Sequence, residues 1–216
     1  MRVSQPSGAP SPVVAAQNRS RSSALSSTRN AQPWLKPADG ARMACSSNRS
    51  RTSAGFSQGW AFLVLESAED RDRFWTATTD GGTPDGWLTR MRRAPLLIVP
   101  MSDKSAYLER YAAPDKGWTD RDESRWPVPY WDVDAGMASL LMLLTAVDEG
   151  LGACFFGIPP ERIAAFRDAF GVPAGFRPVG CVSVGYPGDD DRRSPSLRRG
   201  RRPVDEVVHR GGWHTR

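Results

Sequence analysis

The sequence predicts a mixed domain in which sheet and helices are layered on one another, and three observations lead to it. Short apolar runs rich in strand-type residues recur at Trp60–Leu65 and at residues 94–101 and 179–184. Segments with helical periodicity and helix-start residues stand between them. Their order is irregular, with neither the alternation of a barrel nor the fixed period of a repeat array. At 216 residues the chain has room for one domain, or one domain with a tail.

The tail is read at the N-terminus. Residues 1–52 hold eight of the 29 Lys+Arg and one of the 24 Asp+Glu, so this quarter is basic and the rest nearly neutral. It has eleven serines, and its apolar residues come singly or in pairs. Such a stretch buries too little surface to offset its ordering entropy, so residues 1–51 are expected to be a disordered Ser/Arg-rich tail, with a misread frame or wrong start as the alternative. No apolar run there reaches the ~7 residues of a secretory h-region, while Arg- and Ser-rich, acid-poor composition also suits an organellar transit peptide. Cytoplasm is the default expectation. With the charge confined to the tail, the body has no basic face for nucleic acid. The longest uncharged run in the hydrophobic region, residues 135–147, is too short for the ~20 residues of a membrane span.

Element by element, WAFLVL (60–65) reads as a buried strand. Ser67-Ala-Glu-Asp70 has the form of a capping box, opening a helix to about Thr78. Glycines and Pro84 between 81 and 86 break the chain. Residues 94–101 form a second buried strand and 103–112 an amphipathic helix. Residues 114–130 are a long loop carrying Trp118, Trp126 and Tyr130, functional or mobile by its length. Asp134 is placed as the cap of a helix reaching about Glu149. That helix is apolar nearly all round, which demands burial in a core or against another subunit. Pro159-Pro160 opens the next helix and Gly171 closes it. Residues 179–184 are a third strand.

No single motif fixes the chemistry. Gly55-Phe-Ser57-Gln-Gly59 has the letters of a serine-hydrolase elbow, but a strand follows it where a helix should, so a serine hydrolase is only the third reading. His209 and His214 share no helical face, and Cys45, Cys154 and Cys181 make no CxxC pair, so no metal site is expected. The two apolar cysteines, Cys154 and Cys181, fit a core as small hydrophobes. Asp132 and Asp134 read as helix-end and surface groups. By composition Arg198 to Arg202 is a solvated run before it is an anion clamp.

Together, four stretches resemble the flavin-dependent nitroreductase family. They are Ser53-Ala-Gly-Phe-Ser-Gln-Gly-Trp60 entering WAFLVLE; Asp134-Ala-Gly-Met-Ala through Glu149-Gly-Leu-Gly152 to Ala-Cys-Phe-Phe-Gly-Ile-Pro159; Phe176-Arg-Pro-Val-Gly-Cys-Val-Ser-Val-Gly-Tyr186; and Arg201-Arg-Pro-Val-Asp-Glu-Val-Val-His209. The likeness spans about residues 52–213. It implies an α+β fold with a mixed, mainly antiparallel sheet flanked by helices, in an intertwined homodimer with FMN at the interface.

The resemblance also implies the site. Ser53 and Ala54 fall in the flavin-contact loop, and Gln58 matches its glutamine. Phe56 stands where many members have an asparagine facing the ring. Phe156-Gly157 match the turn that meets the N5 edge, and Arg199 and Arg201 the pair that holds the phosphate. No catalytic side chain is needed, since FMN carries the hydride chemistry. The implied function is ping-pong transfer from NAD(P)H to nitro compounds, quinones or similar small-molecule acceptors. The alternative is a non-catalytic flavin-binding member. Trp118, Trp126 and Tyr130 are the substrate-side candidates, as a lid or as an ordinary surface loop. The family's N-terminal phosphate-gripping helix has no counterpart in residues 1–52.

Overall fold

One five-stranded sheet organises the chain. Its strands are β1 (Trp60–Leu65), β2 (Leu96–Asp103), β3 (Gly152–Phe156), β4 (Phe176–Pro178) and β5 (Cys181–Gly185). Their order is β1-β2-β5-β3, with β4 pairing beside β5 on β2, and every pairing is antiparallel. β1 runs in register with β2 from Trp60↔Ser102 to Leu65↔Leu97. The computed structural model describes residues 53–81, 83–188 and 195–213, all within the unit Leu35–Arg216. The expected N-terminal tail lies outside the described residues.

Alternation along β2 builds two cores, because successive side chains leave a strand on opposite faces. Leu97, Val99 and Met101 pack on one face with Phe74, Trp75 and Phe166. Leu96 and Ile98 pack on the other with Met142, Ala146, Val182 and Val184. A strand covered on both sides reads as a continuous apolar run, which is why LLIV was legible. Each such fully buried aliphatic side chain contributes roughly 1.5–3 kcal/mol.

The helices are α1 (Ala68–Thr78), α2 (Gly86–Met91), α3 (Lys104–Ala112), α4 (Tyr130–Asp148), α5 (Ile163–Phe170) and α6 (Val204–Val207). The Ser67 hydroxyl accepts the Asp70 N–H at 3.0 Å and donates to the Asp70 carboxylate, as its spacing predicted. Asp103 caps α3 by accepting from Ser105 and Ala106. Gly171 ends α5 at φ 62°. α1 and α5 cover one face of the sheet, and α4 crosses the other against β2, β3 and β5.

Within one copy α4 packs Ala135, Ala138, Ser139, Met142 and Ala146 against the sheet and leaves Val133, Met137, Leu140, Leu144 and Val147 exposed. Three expectations need correction. Asp134 does not cap α4; the helix starts at Tyr130, and Asp134 lies a full turn inside it, buried at 4% exposure. Nor is it a surface group. The loop at 114–130 is not structureless; it contains a 3-10 turn at Glu123–Arg125, and Tyr130 belongs to α4. Finally, β3, β4 and α2 went unforeseen, being short elements with few or no buried side chains to mark them.

α4, at 19 residues, is the one helix among the described residues long and apolar enough by composition to cross a membrane. A core helix passes the same test, and α4 seals the second core through its small-residue face.

Candidate functional site

The loop before β1 is a compact, unusual turn. Residues Ala54–Phe56 form one 3-10 turn with Phe56 N–H bonded to the Ser53 carbonyl at 3.0 Å. The backbone is left-handed at Gly55 (φ 62°), Phe56 (φ 55°) and Gln58 (φ 51°). For a bulky residue such as Phe56 that region is a strained outlier, so surrounding contacts must hold it.

Two side chains do so. The Ser53 hydroxyl accepts the Gln58 N–H at 3.2 Å. Arg110 on α3 donates from Nε to the Gly55 carbonyl at 2.7 Å, while its Nη atoms grip Asp115 in a fork at 2.7 Å each. Arg110 was assigned no site role from sequence, because it acts from more than fifty residues away and no local spacing announces it. Within the loop Ser53 is buried, and the Phe56 ring projects outward at 58% exposure. The Ser57 hydroxyl is buried and has no hydrogen-bond partner. No base among the described residues hydrogen-bonds to it, so nothing there completes a hydrolase elbow.

At the other edge of the sheet, β3 ends in Phe156 and Gly157. They line a pocket of about 380 Å³ with Trp75, Trp87, Thr83 and Ile158. Trp75 stacks on Phe156 at 5.5 Å and 12°, and Trp87 meets it edge-on at 5.4 Å. Arg162 and Asp80, both pocket residues, form an ion pair. A Cβ built on Gly157 would meet nothing within 4 Å, so its backbone faces open space.

The predicted residues therefore fall in separate places. Ser53, Ala54, Phe56 and Gln58 precede edge strand β1, whereas Phe156 and Gly157 end β3 with β2 and β5 between. Arg199 closes a 3-10 turn at Pro195–Arg199, and Arg201 follows in an extended stretch. Both are exposed, and neither pairs with an acid among the described residues, whereas neighbouring Arg202 pairs with Glu206. Trp118, Trp126 and Tyr130 line none of the Gly157 pocket. Trp126 packs on Tyr111 at 4.5 Å, Tyr107 at 5.0 Å and Trp118 at 5.1 Å. The segment is pinned further by the Arg121–Glu109, Lys104–Glu123 and Arg125–Asp120 pairs. It is a packed segment, in keeping with the ordinary surface loop that the sequence offered beside a lid.

Burial pushes the Asp134 carboxyl up to about 6, against a smaller opposing pull from the Ala54 N–H. Burial also raises the Cys154 and Cys181 thiols, which keeps both protonated and inert. Cys181 is in the core as expected, while Cys154 is only part-buried. Among the described residues no cluster of His, Cys, Asp or Glu could hold a metal.

The model of the nitroreductase family matches residues 47–186, which takes in the Ser53 loop and Gly157 but not Arg199 or Arg201. A curated protein of Archaeoglobus fulgidus named "Putative NADH dehydrogenase/NAD(P)H nitroreductase" is 27% identical over 170 residues, covering 74% of this chain and 78% of its own. Among solved structures, an FMN-dependent nitroreductase from Clostridium difficile R20291 matches at a TM-score of 0.56 and 19% identity, over 83% of this chain and 90% of its own. A nitroreductase from B. subtilis matches at 0.63 and 16%, over 84% and 68%. These last two are likenesses of fold. The mixed, antiparallel sheet flanked by helices and the matched family model agree, and the chain belongs to the nitroreductase family of oxidoreductases.

Proposed function

We propose that this chain is an FMN-dependent oxidoreductase, working as a homodimer, that passes hydride from NAD(P)H to nitro compounds, quinones or similar acceptors by a ping-pong mechanism. The observation that carries the reading is the Gly157 pocket: open backbone at the end of a strand, walled by Trp75, Phe156 and Trp87. Names of relatives that include NAD(P)H nitroreductase and FMN-dependent nitroreductase support the cofactor and co-substrate.

The residues present fit a flavin. An aromatic-walled pocket takes a planar ring, and a glycine without Cβ lets a backbone N–H approach its edge. The unpartnered Ser57 hydroxyl of the Ser53–Gln58 turn is a further polar group there. Arg199 and Arg201, free of acid partners among the described residues, suit a phosphate because a guanidinium donates two parallel bonds to its oxygens. Bound FMN would supply the hydride relay between the two substrates. The chain's own work is to clamp the phosphate, present backbone donors to the ring and exclude water.

The two halves of this site sit on opposite edges of one sheet, which favours assembly from two copies. α4 supplies the surface for it. Tyr130, Val133, Met137, Leu140, Leu144 and Val147 are all exposed, and their spacing alternates three and four residues. That is the seam by which two helices pack in a heptad register, and a two-fold axis would make it self-complementary. On this arrangement the loop of one copy, with Trp118, Trp126 and Tyr130 beside it, closes over the Gly157 pocket of the other. Residues 52–213 would form the catalytic domain.

Purified protein titrated with FMN tests the reading directly. Flavin absorbance co-migrating at about one per chain, followed by NAD(P)H-dependent loss of a nitroaromatic or quinone, is the expected outcome. No bound flavin at excess FMN would end the proposal. Bound flavin without turnover would leave a non-catalytic flavin carrier.

A further inference from the structure

We propose that Arg110 is the positioning residue of the flavin loop: its Nε holds the Gly55 carbonyl, its fork on Asp115 aims it, and the Gly55–Phe56 peptide is thereby kept from turning over. This rests on the flavin reading above and adds to it a residue that stands outside the proposed flavin contacts.

The peptide that joins Gly55 to Phe56 is held on both sides. Its N–H donates to the Ser53 carbonyl at 3.0 Å, and its C=O accepts from Arg110 Nε at 2.7 Å. A peptide is planar, so rotating it changes ψ of the residue before and φ of the residue after together. About half a turn here would take Phe56 from its strained φ of 55° to the ordinary negative side. The same turn would carry Gly55, at φ 62° and ψ 8°, into a region that glycine alone enters freely. The flip is therefore open to this sequence and relieves the strain at Phe56. It would also break both bonds, and the one from the charged guanidinium is the stronger.

Asp115 supplies the aim. Both its oxygens meet Arg110 Nη atoms at 2.7 Å, and because a guanidinium is planar, fixing that edge fixes the direction of the Nε–H. Asp115 is exposed, so the ion pair adds little to stability, and its consequence is directional. The turn lies directly on α3: a Cβ on Gly55 would stand 3.4 Å from Arg110 Cγ and 3.5 Å from the Tyr111 ring. Tyr111 in turn packs on Trp118 and Trp126, and its carbonyl accepts the Trp118 N–H at 3.0 Å. The last turn of α3 thus carries the flavin loop on Arg110 and the root of the tryptophan segment on the next residue.

The test uses the full chain and FMN as the probe, with affinity read by quenching of flavin fluorescence. Arg110→Met keeps the aliphatic stem and removes both contacts. Shown folded by circular dichroism, it should bind FMN about ten-fold more weakly, the worth of one bond from a charged donor. Arg110→Lys can reach the carbonyl or the carboxylate but not both, and should fall between. Asp115→Ala leaves Arg110 in place, yet should weaken binding by about three-fold because the guanidinium is no longer aimed. Adding Asp115→Ala to Arg110→Met should change nothing further, since Asp115 acts through Arg110. Parental affinity in Arg110→Met or in Asp115→Ala, or losses that simply add, overturns the proposal. A second readout separates its failure from failure of the flavin reading. Without flavin, amide hydrogen exchange at Phe56 and Gln58 should accelerate about ten-fold in Arg110→Met, while the α3 amides exchange as in the parent. If neither parent nor variant binds flavin, that arm decides: faster exchange confined to the turn supports the positioning role. Unchanged exchange, or equal loosening of α3, refutes it.

Discussion

Burial constrains Asp134 electrostatically and Gly180 sterically. The Asp134 carboxyl is raised from 3.8 to about 6 by burial. A group whose folded value lies above its unfolded one contributes stability below the unfolded value, and that stability disappears as pH rises through the folded value. On this account the protein is stabler at pH 5 than at pH 8. Asp134→Asn should raise the melting temperature at pH 8 by a few degrees and leave it nearly unchanged at pH 5. Equal shifts at both pH values would show that ionisation is not what strains the site. At Gly180 the constraint is steric. A Cβ there would stand 2.3 Å from Phe155 Cζ and 2.8 Å from the Phe156 carbonyl. The Phe155 ring can swing outward, but the carbonyl belongs to β3 and cannot. Gly180→Ala should cost about 1–3 kcal/mol, read as a lower urea midpoint with unchanged slope.

Elements differ in how far the sequence discloses them. α1 was legible because its cap is local: Ser67 and Asp70 are three residues apart and bond each other. β2 was legible because burial on both faces leaves an apolar run. β3 was not, since it is an edge strand of five residues whose side chains are mostly half-exposed. The start of α4 was misplaced for a related reason. Asp134 looks like a cap, and only its burial a turn inside the helix shows that it is not one. The flavin loop and the Gly157 turn could be picked out only by likeness to a family, never by spacing. For the C-terminal arginines composition argued the other way, toward a solvated run. Their proposed role can be checked on that segment alone. Each charged bond to a phosphate is worth about 1.5–3 kcal/mol, so Arg199→Ala with Arg201→Ala should weaken FMN binding by roughly 100-fold or more. Riboflavin, which lacks the phosphate, should bind the variant and the parent alike. An equal loss for both ligands would place the arginines elsewhere.

At the scale of the molecule, the decisive feature is a mismatch between what one copy has and what the site needs. Ser53–Gln58 stands beyond β1 and Gly157 beyond β3, with β2 and β5 between them, so a single sheet keeps the two proposed flavin contacts apart. The exposed seam of α4 offers the remedy, and Leu140 and Leu144 are at its centre with 53% and 57% exposure. Leu140→Glu with Leu144→Glu would place four like charges across a two-fold contact while touching neither the loop nor the pocket. Since both side chains already face outward, the folded copy should keep its circular dichroism and most of its stability. Sedimentation should show a dimer for the parent and a monomer for the variant. If flavin is held between copies, the monomer should lose FMN although every proposed contact residue is intact, and raising protein concentration should restore binding in the parent but not in the variant. A monomeric variant that still binds FMN with parental affinity would confine the whole site to one chain, and the Ser53 loop and the Gly157 pocket would then belong to different ligands.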